Sequence, residues 1–112
     1  MLEKEKIIQG HTVTLVINSR RVATLYVDDC VAPLQGGDAR LKLQLALAAR
    51  QLWKEIVRQL PAGVYKCWPT SESRRKVYIS AGWRPSPLEE GGLVYYHQIP
   101  PVPTGGLTRG CR

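Results

Sequence analysis

Few side chains of this 112-residue chain have the types and spacing that could do chemistry. Asp28 and Asp29 follow an apolar, strand-like run and could serve as a general base, with a solvated turn as the alternative. His11 falls at the start of a predicted strand and His97 in a late one, so we expect structural or exposed roles for both. No Ser–His–Asp arrangement and no cluster of metal ligands follows from the spacing of the residues.

The three cysteines do not predict a cross-linked or zinc-bound domain. Cys30, Cys67 and Cys111 make an odd count and lack CxxC spacing, which argues against a disulfide framework and against a zinc site. Cys30 and Cys67 lie in apolar runs, so we expect buried, reduced thiols. Such thiols suit a reducing compartment such as the cytoplasm.

A glycine-rich loop ahead of a helix could hold a phosphate group. Gln35, Gly36 and Gly37 come shortly before a predicted helix that starts near Ala39. The free N–H groups and the dipole at the start of a helix attract anions, and glycines let a phosphate approach the backbone. A plain helix-entry loop is the alternative, and Asp38 has a side chain suited to cap the helix.

Basic residues exceed acidic ones and favour anionic partners. The net charge is +7, from 16 Lys+Arg and 9 Asp+Glu, which suits nucleic acid, phosphorylated cofactors or acidic protein surfaces. One cluster could form a basic-aromatic surface for nucleic acid, although no RNP, KH or zinc-finger signature accompanies it. Its members are Arg74, Arg75, Lys76, Trp68, Tyr78 and Trp83. A second basic cluster could contact phosphates or form a solvated helix face: Arg50, Lys54 and Arg58.

The strands and helices that must position these residues alternate along the chain. Residues 11–17 and 21–27 alternate or are rich in β-branched residues, and predict an antiparallel hairpin around a turn at Asn18. Residues 64–68 and 93–99 are the third and fourth predicted strands. With the two helices, the order is β-β-α-β-α-β, an α/β (α+β) class in which helices cover one mixed sheet.

Both helices have recognisable ends. Residues 39–60 repeat apolar side chains at steps of three and four, and the lysines and arginines among them exclude a membrane span. Residues 72–81 form a shorter helix, for which Thr70 or Ser71 is the predicted cap and Gly82 the stop.

The chain reads as one domain with two flanking segments. We expect a flexible or edge-forming segment over residues 1–10, the domain over residues 11–99 and a Pro/Gly-rich tail over residues 100–112. The start of the chain lacks the apolar run of a signal peptide. The first predicted strand, residues 11–17, is expected to present an unpaired edge, and such edges recruit partner strands.

Two local sequences carry a resemblance to a known family. In the first, Val31-Ala32-Pro33 and Gln35-Gly36 lie between a strand and a long helix; in the second, Tyr78 stands four residues before Gly82-Trp83. Together with the element order, they resemble the C-terminal, cofactor-binding part of the GNAT superfamily of N-acetyltransferases. The likeness covers roughly residues 21–99, as in a truncated and degenerate member.

The resemblance implies a cofactor and an acid. Acetyl-CoA would be bound by Val31 and by the loop of Gln35, Gly36, Gly37, Asp38 and Ala39. Tyr78 would act as the general acid that protonates the departing thiolate after direct attack of an amine on the thioester. A tyrosine that packs a short helix onto the sheet is the alternative.

The chain departs from the family at decisive positions. Counted from Gln35 without a gap, the two family glycines fall on Asp38 and Arg40, whereas a one-residue deletion would place Gly37 and Ala39 there. A carboxylate at Asp38 facing a phosphate would cost about 4 kcal/mol at ~4 Å and a dielectric of ~20, or about three decades of affinity. The family's first strand and first two helices, which help form the acceptor site, have no counterpart.

Three functions remain open from the sequence. The first is a noncatalytic GNAT-like structural or interaction protein that needs no cofactor and contacts a protein partner or its own copies, as in a larger assembly such as a phage particle. The second is an acetyl-CoA-dependent N-acyltransferase whose acceptor site comes from a partner. The third, a nucleic-acid-binding protein, rests on charge alone. We expect no membrane association, and a location in the cytoplasm or, for a phage protein, in the virion.

Overall fold

The computed structural model describes residues 2–31 and 38–99. Its described residues form an α+β fold, as predicted, with two antiparallel three-stranded sheets and two helices. The elements are, in chain order, β1 Leu2–Ile8, β2 His11–Ile17, β3 Ala23–Val27, α1 Ala39–Val57, β4 Gly63–Cys67, α2 Glu72–Ser80, β5 Arg84–Pro85 and β6 Leu93–His97.

The first sheet has the order β1-β2-β3, and both pairs are antiparallel. The predicted hairpin is confirmed as β2 and β3, with Val13 opposite Val27. Asn18 closes its turn, because the side-chain oxygen accepts the backbone N–H groups of Arg20 and Val22 at 2.8 and 3.0 Å. Strand β3 begins later than predicted, since Arg21 has a φ of 62° and interrupts the extended chain.

The N-terminal segment is an edge strand, which is the edge-forming alternative of the prediction for residues 1–10. Leu2–Ile8 pairs with β2 along its whole length, and its side chains alternate between half-buried and exposed. Its charged residues order the strand instead of fraying it, because Lys4 and Lys6 contact Glu55 of α1 at 3.2 and 3.3 Å. As a result, β2 is the central strand, and the edge expected at residues 11–17 lies at β1 instead.

The second sheet has the order β4-β6-β5. It touches the first through one parallel bridge between Val22 and Lys66, where the Lys66 N–H donates to the Arg21 C=O at 3.0 Å. The prediction of one mixed sheet is therefore wrong in its pairing, because β3 and β4 share a single bridge instead of a continuous ladder. The sequence also did not predict β5, which is two residues long.

The helices start at the predicted caps and end slightly early. Asp38 accepts the N–H of Leu41 at 2.8 Å at the start of α1. Ser71, rather than Thr70, caps α2 by accepting the N–H of Arg74 at 3.2 Å. The last predicted turn of the first helix tightens, since the N–H of residues 59 and 60 bond to the carbonyls of residues 56 and 57.

An aromatic cluster lies at the centre of the core between α1 and the sheets. The Trp53 ring lies 4.9 Å from the rings of both Trp83 and Tyr95 and 6.2 Å from that of Tyr65. Trp53 is thus in the core, as its helical position predicts. Cys67 is buried as expected, but Cys30 is exposed because it follows the end of β3 in a turn.

The helices bear on membrane insertion as well. Within residues 2–31 and 38–99, no helix is long and apolar enough to cross a lipid bilayer.

Candidate functional site

A cavity of about 210 Å³ opens where β3 and β4 stop pairing. The two strands meet at the bridge of Val22 and Lys66. Beyond it, residues of β3 and the residues that follow β4, Trp68, Pro69 and Thr70, line the cavity. Two predicted site residues, Val31 and Tyr78, line this cavity. Its full lining is Val22, Ala23, Thr24, Leu25, Val31, Trp68, Pro69, Thr70, Arg74 and Tyr78.

A second cavity of about 200 Å³ lies between α1 and α2. It is mostly apolar, with Lys42 and Ser73 as polar members of its wall. Leu25 and Arg74 line both cavities and therefore stand between them. The remaining lining residues are Val27, Leu45, Ala46, Ala49 and Val77.

Arg74 is a buried cation at the junction of the two cavities. Its side chain is 6% exposed, and Nη1 donates to the C=O of Leu25 at 3.0 Å. Burial lowers the pKa of Arg74 from its usual value, yet a guanidinium stays charged in proteins. Arg74 thus takes up the carbonyl of Leu25, a residue of β3 that lines both cavities.

Tyr78 lies one helical turn after Arg74 on the same face of α2. Its ring packs edge-on against Trp83, with centroids 5.2 Å apart, and the side chain is 6% exposed. Burial raises the pKa of Tyr78 above its usual value, so the phenol keeps its proton. The side chain packs α2 onto the core, as the structural alternative predicts, and it also borders the cavity, as a catalytic role would require.

The start of α1 carries its own negative charge. The Asp38 carboxylate accepts the Leu41 N–H and lies at the surface together with Ala39, the first residue of the helix. One free N–H group is thereby satisfied internally, and an incoming phosphate would meet a like charge. Gln35, Gly36 and Gly37 of the predicted loop lie outside the described residues.

The candidate base at Asp28 is part of the hairpin structure. Its carboxylate contacts His11 Nδ1 at 2.7 Å and accepts the Thr12 N–H at 3.0 Å. The hydrogen bond with His11 holds the pKa of Asp28 below its usual value. Asp28 and Asp29 have φ values of 53° and 62° and do not line the cavity, so the turn alternative fits them better.

The other predicted chemistry is dispersed. His97 Nε2 contacts the Leu60 C=O at 3.1 Å, which is the structural role expected for it. The basic-aromatic cluster is broken up, since Arg74, Tyr78 and Trp83 are buried while Trp68 is exposed. Across the described ranges, no group of three or more His, Cys, Asp or Glu side chains could hold a metal ion.

Sequence reasoning missed the central position of Arg74. It grouped Arg74 with Arg75 and Lys76 as surface charge, because the three are adjacent in the chain. The signal that could have separated them is helical spacing, since a residue four positions before the core residue Tyr78 lies on the same face of α2.

Comparison with known proteins finds no relative of this chain. No protein-family model, curated protein or solved structure matches this chain, so kinship with the GNAT superfamily stays a prediction.

Proposed function

We propose that this protein is a noncatalytic GNAT-like module that works through protein–protein contacts, as a subunit of a larger assembly such as a phage particle. It needs no cofactor in this role and acts in the cytoplasm or in the virion. The observation that carries the proposal is the buried guanidinium of Arg74, which bonds to the Leu25 C=O inside the gap between β3 and β4.

Arg74 disfavours the binding of a ligand in the gap between β3 and β4. A ligand lying between the strands would have to displace Arg74 from the Leu25 carbonyl, and a hydrogen bond to a charged group contributes about 1.5–3 kcal/mol. The charge of Asp38 at the start of α1 adds repulsion toward the phosphates of acetyl-CoA. Both effects weaken cofactor binding.

Exposed apolar side chains support a role in protein contacts. Ile7 on β1 and Leu43 and Leu47 on α1 are 71%, 60% and 52% exposed. Ile7 and Leu47 line one shallow groove between the edge strand and the helix. Apolar groups that share a surface in this way are typical of interaction sites.

An acetyl-CoA-dependent N-acyltransferase is the second candidate. It is favoured by the position of Tyr78, which borders the cavity next to Val31 and keeps its proton at neutral pH. In this case a partner would supply the acceptor site, and Arg74 would have to move when the cofactor binds.

Calorimetric titration with acetyl-CoA separates the two candidates. We expect no heat of binding at millimolar ligand, together with a defined oligomer or complex in light scattering. Micromolar binding that is lost in a Gly37→Glu variant would overturn the noncatalytic proposal and support the enzyme.

A further inference from the structure

The outer edge of β1 presents backbone groups suited to another strand. β1 pairs with β2, and no second strand lies beside it among the described residues. Thr12, opposite Ile7, directs its backbone away from β1, because its N–H and C=O both bond to Asp28. Since antiparallel ladders alternate, Ile7, Glu5 and Glu3 direct their own N–H and C=O groups outward.

The charges of this strand are sorted by face. Lys4 and Lys6 point toward α1, where they share the single carboxylate of Glu55, so positive charge is in excess on that face. Glu3 and Glu5 lie on the opposite, exposed face. The edge is therefore cationic on the helix side and anionic on the other.

This arrangement opposes pairing between two copies of the chain. An antiparallel dimer through the β1 edges has its two-fold axis normal to the sheet, which keeps each face of one copy beside the same face of the other. Lysines would then meet lysines, and glutamates would meet glutamates. Like charges opposite each other destabilise strand pairs, and natural edge strands use charge to resist self-association.

We propose that β1 accepts an extended segment of a different protein as an added antiparallel strand. The segment carries carboxylates opposite Lys4 and Lys6 and basic side chains opposite Glu3 and Glu5. Main-chain hydrogen bonds supply affinity in this mode of recognition, and the alternating side chains supply specificity. The inference rests on the proposed function and names the chemistry of the partner.

An apolar side chain of the partner would complete the contact. Ile7 ends the outward-facing set of residues, and the groove beside it is also lined by Leu47 of α1. An apolar residue placed opposite Ile7, on the face that Ile7 shares with Glu3 and Glu5, would remove the Ile7 side chain from water. The partner therefore has an apolar residue followed by alternating acidic and basic ones.

Two synthetic peptides of equal composition test the proposal on the full chain. One follows the complementary pattern, and the other exchanges its acidic and basic positions. We expect the complementary peptide to bind at least about tenfold more tightly in fluorescence anisotropy, because four cross-strand pairs change from repulsive to attractive. The difference should shrink at high salt. Equal affinities, or no binding by either peptide, would overturn the proposal.

A proline at the edge separates loss of docking from loss of fold. In Glu5→Pro the missing N–H is one that points outward, so β1 keeps its bonds to β2, and the melting temperature should change little. Binding of the complementary peptide should fall about tenfold or more, whereas Glu5→Ala keeps the N–H and should lose less. Equal binding by the proline variant with an intact fold would contradict the strand geometry.

Amide hydrogen exchange locates the bound peptide. The complementary peptide should slow exchange at Glu3, Glu5 and Ile7 and leave Lys4 and Lys6 unchanged, because the last two already bond to β2. Protection elsewhere would refute docking at β1. A chain that binds neither peptide nor acetyl-CoA would end this inference alone, whereas micromolar acetyl-CoA binding would end the proposed function.

Discussion

Burial gives adjacent arginines different roles. Arg74 and Arg75 are neighbours in α2, but Arg74 is buried against Leu25 while Arg75 is half-buried near the surface, with Nη1 3.5 Å from the Gly91 C=O. Charge composition cannot make this distinction, because it counts both residues as cations. What decides the role is the face of the helix on which each side chain lies.

Glu55 links the pH dependence of stability to the β1–α1 contact. Hydrogen bonds from Gln51 first, and then from Lys4 and Lys6, lower the pKa of Glu55 from 4.5 to about 2. Because the folded value is the lower one, the stabilisation is complete above pH 4.5 and is lost as the pH falls toward about 2.

We expect Glu55→Gln to be less stable than the wild type at neutral pH. The difference in free energy of unfolding between the two proteins should narrow as the pH falls from 4.5 toward about 2. Urea unfolding at a series of pH values measures this difference. Gln59→Glu would serve as a control for general charge effects, since residue 59 is exposed beyond the end of α1. A difference in free energy of unfolding that stays constant as the pH falls toward about 2 would contradict the contacts of Glu55 with Gln51, Lys4 and Lys6.

At the level of elements, caps and turns were the most predictable features. Asp38 and Gly82 do what their types indicate, and Gly82 has a φ of 109°. Local signals of this kind act within a few residues, so they can be read without knowing the rest of the fold. Strand β1 was harder, because its lysines gain their partner, Glu55, from α1, more than forty residues away.

The pairing of β3 with β4 and the site between them were beyond the reach of sequence reasoning. The two strands touch at one bridge, and beyond it the side chain of Arg74 bonds to the Leu25 carbonyl of β3. The sequence indicated the region, since Val31 and Tyr78 do line one cavity. It could not indicate which side chain occupies the gap.

Substitutions at Ser71 and Thr70 test which of the two residues caps α2. Ser71 accepts the Arg74 N–H, whereas the hydroxyl of Thr70 donates to the Val31 C=O at the surface. Ser71→Ala should lower the free energy of unfolding by about 1 kcal/mol, measured by urea denaturation. Thr70→Ala should cost less, and a larger loss for Thr70→Ala would mean that the cap is misassigned.

Gly82 provides a second test of the same helix. Its positive φ suits glycine, and a Cβ there would lie 3.2 Å from Tyr95 Cε2. Gly82→Ala should therefore destabilise the protein by roughly 1 kcal/mol or more in thermal unfolding. Gly91→Ala is the matched control, because Gly91 also has a positive φ but no atom within 4 Å of the added Cβ. Gly82→Ala should cost more than this control, and the reverse order would contradict the packing of Tyr95.

At the scale of the whole molecule, one core joins both sheets to α1. Leu52 and Ile56 are fully buried, and Trp53 between them contacts rings from the second sheet. The helix therefore couples two sheets that share a single backbone bridge. Loss of its buried face should unfold the domain as a unit.

A pair of leucines on α1 tests this coupling. Leu52→Ala should cost about 2–5 kcal/mol because it leaves a cavity in the core, whereas the exposed Leu43→Ala should stay within about 0.5 kcal/mol. Urea unfolding followed by tryptophan fluorescence and by circular dichroism should give one coincident transition. Separate transitions in the two signals would indicate that the sheets unfold independently.

The net charge of the whole chain also affects the binding of acetyl-CoA. A net charge of +7 attracts anions over long distances, and acetyl-CoA is an anion. In the proposed function, the effects of Asp38 and Arg74 on acetyl-CoA binding outweigh this general attraction.

The most direct test of the proposal that Asp38 and Arg74 disfavour acetyl-CoA binding is calorimetric titration of acetyl-CoA into the wild type and into variants that lack these side chains. The wild type and Arg75→Ala, a control on the same helix, should give no heat at millimolar ligand. The double variant Asp38→Gly/Arg74→Ala, with its fold checked by circular dichroism, should bind measurably because the repulsion and the occupant of the gap are both removed. Micromolar binding by the wild type would contradict the account.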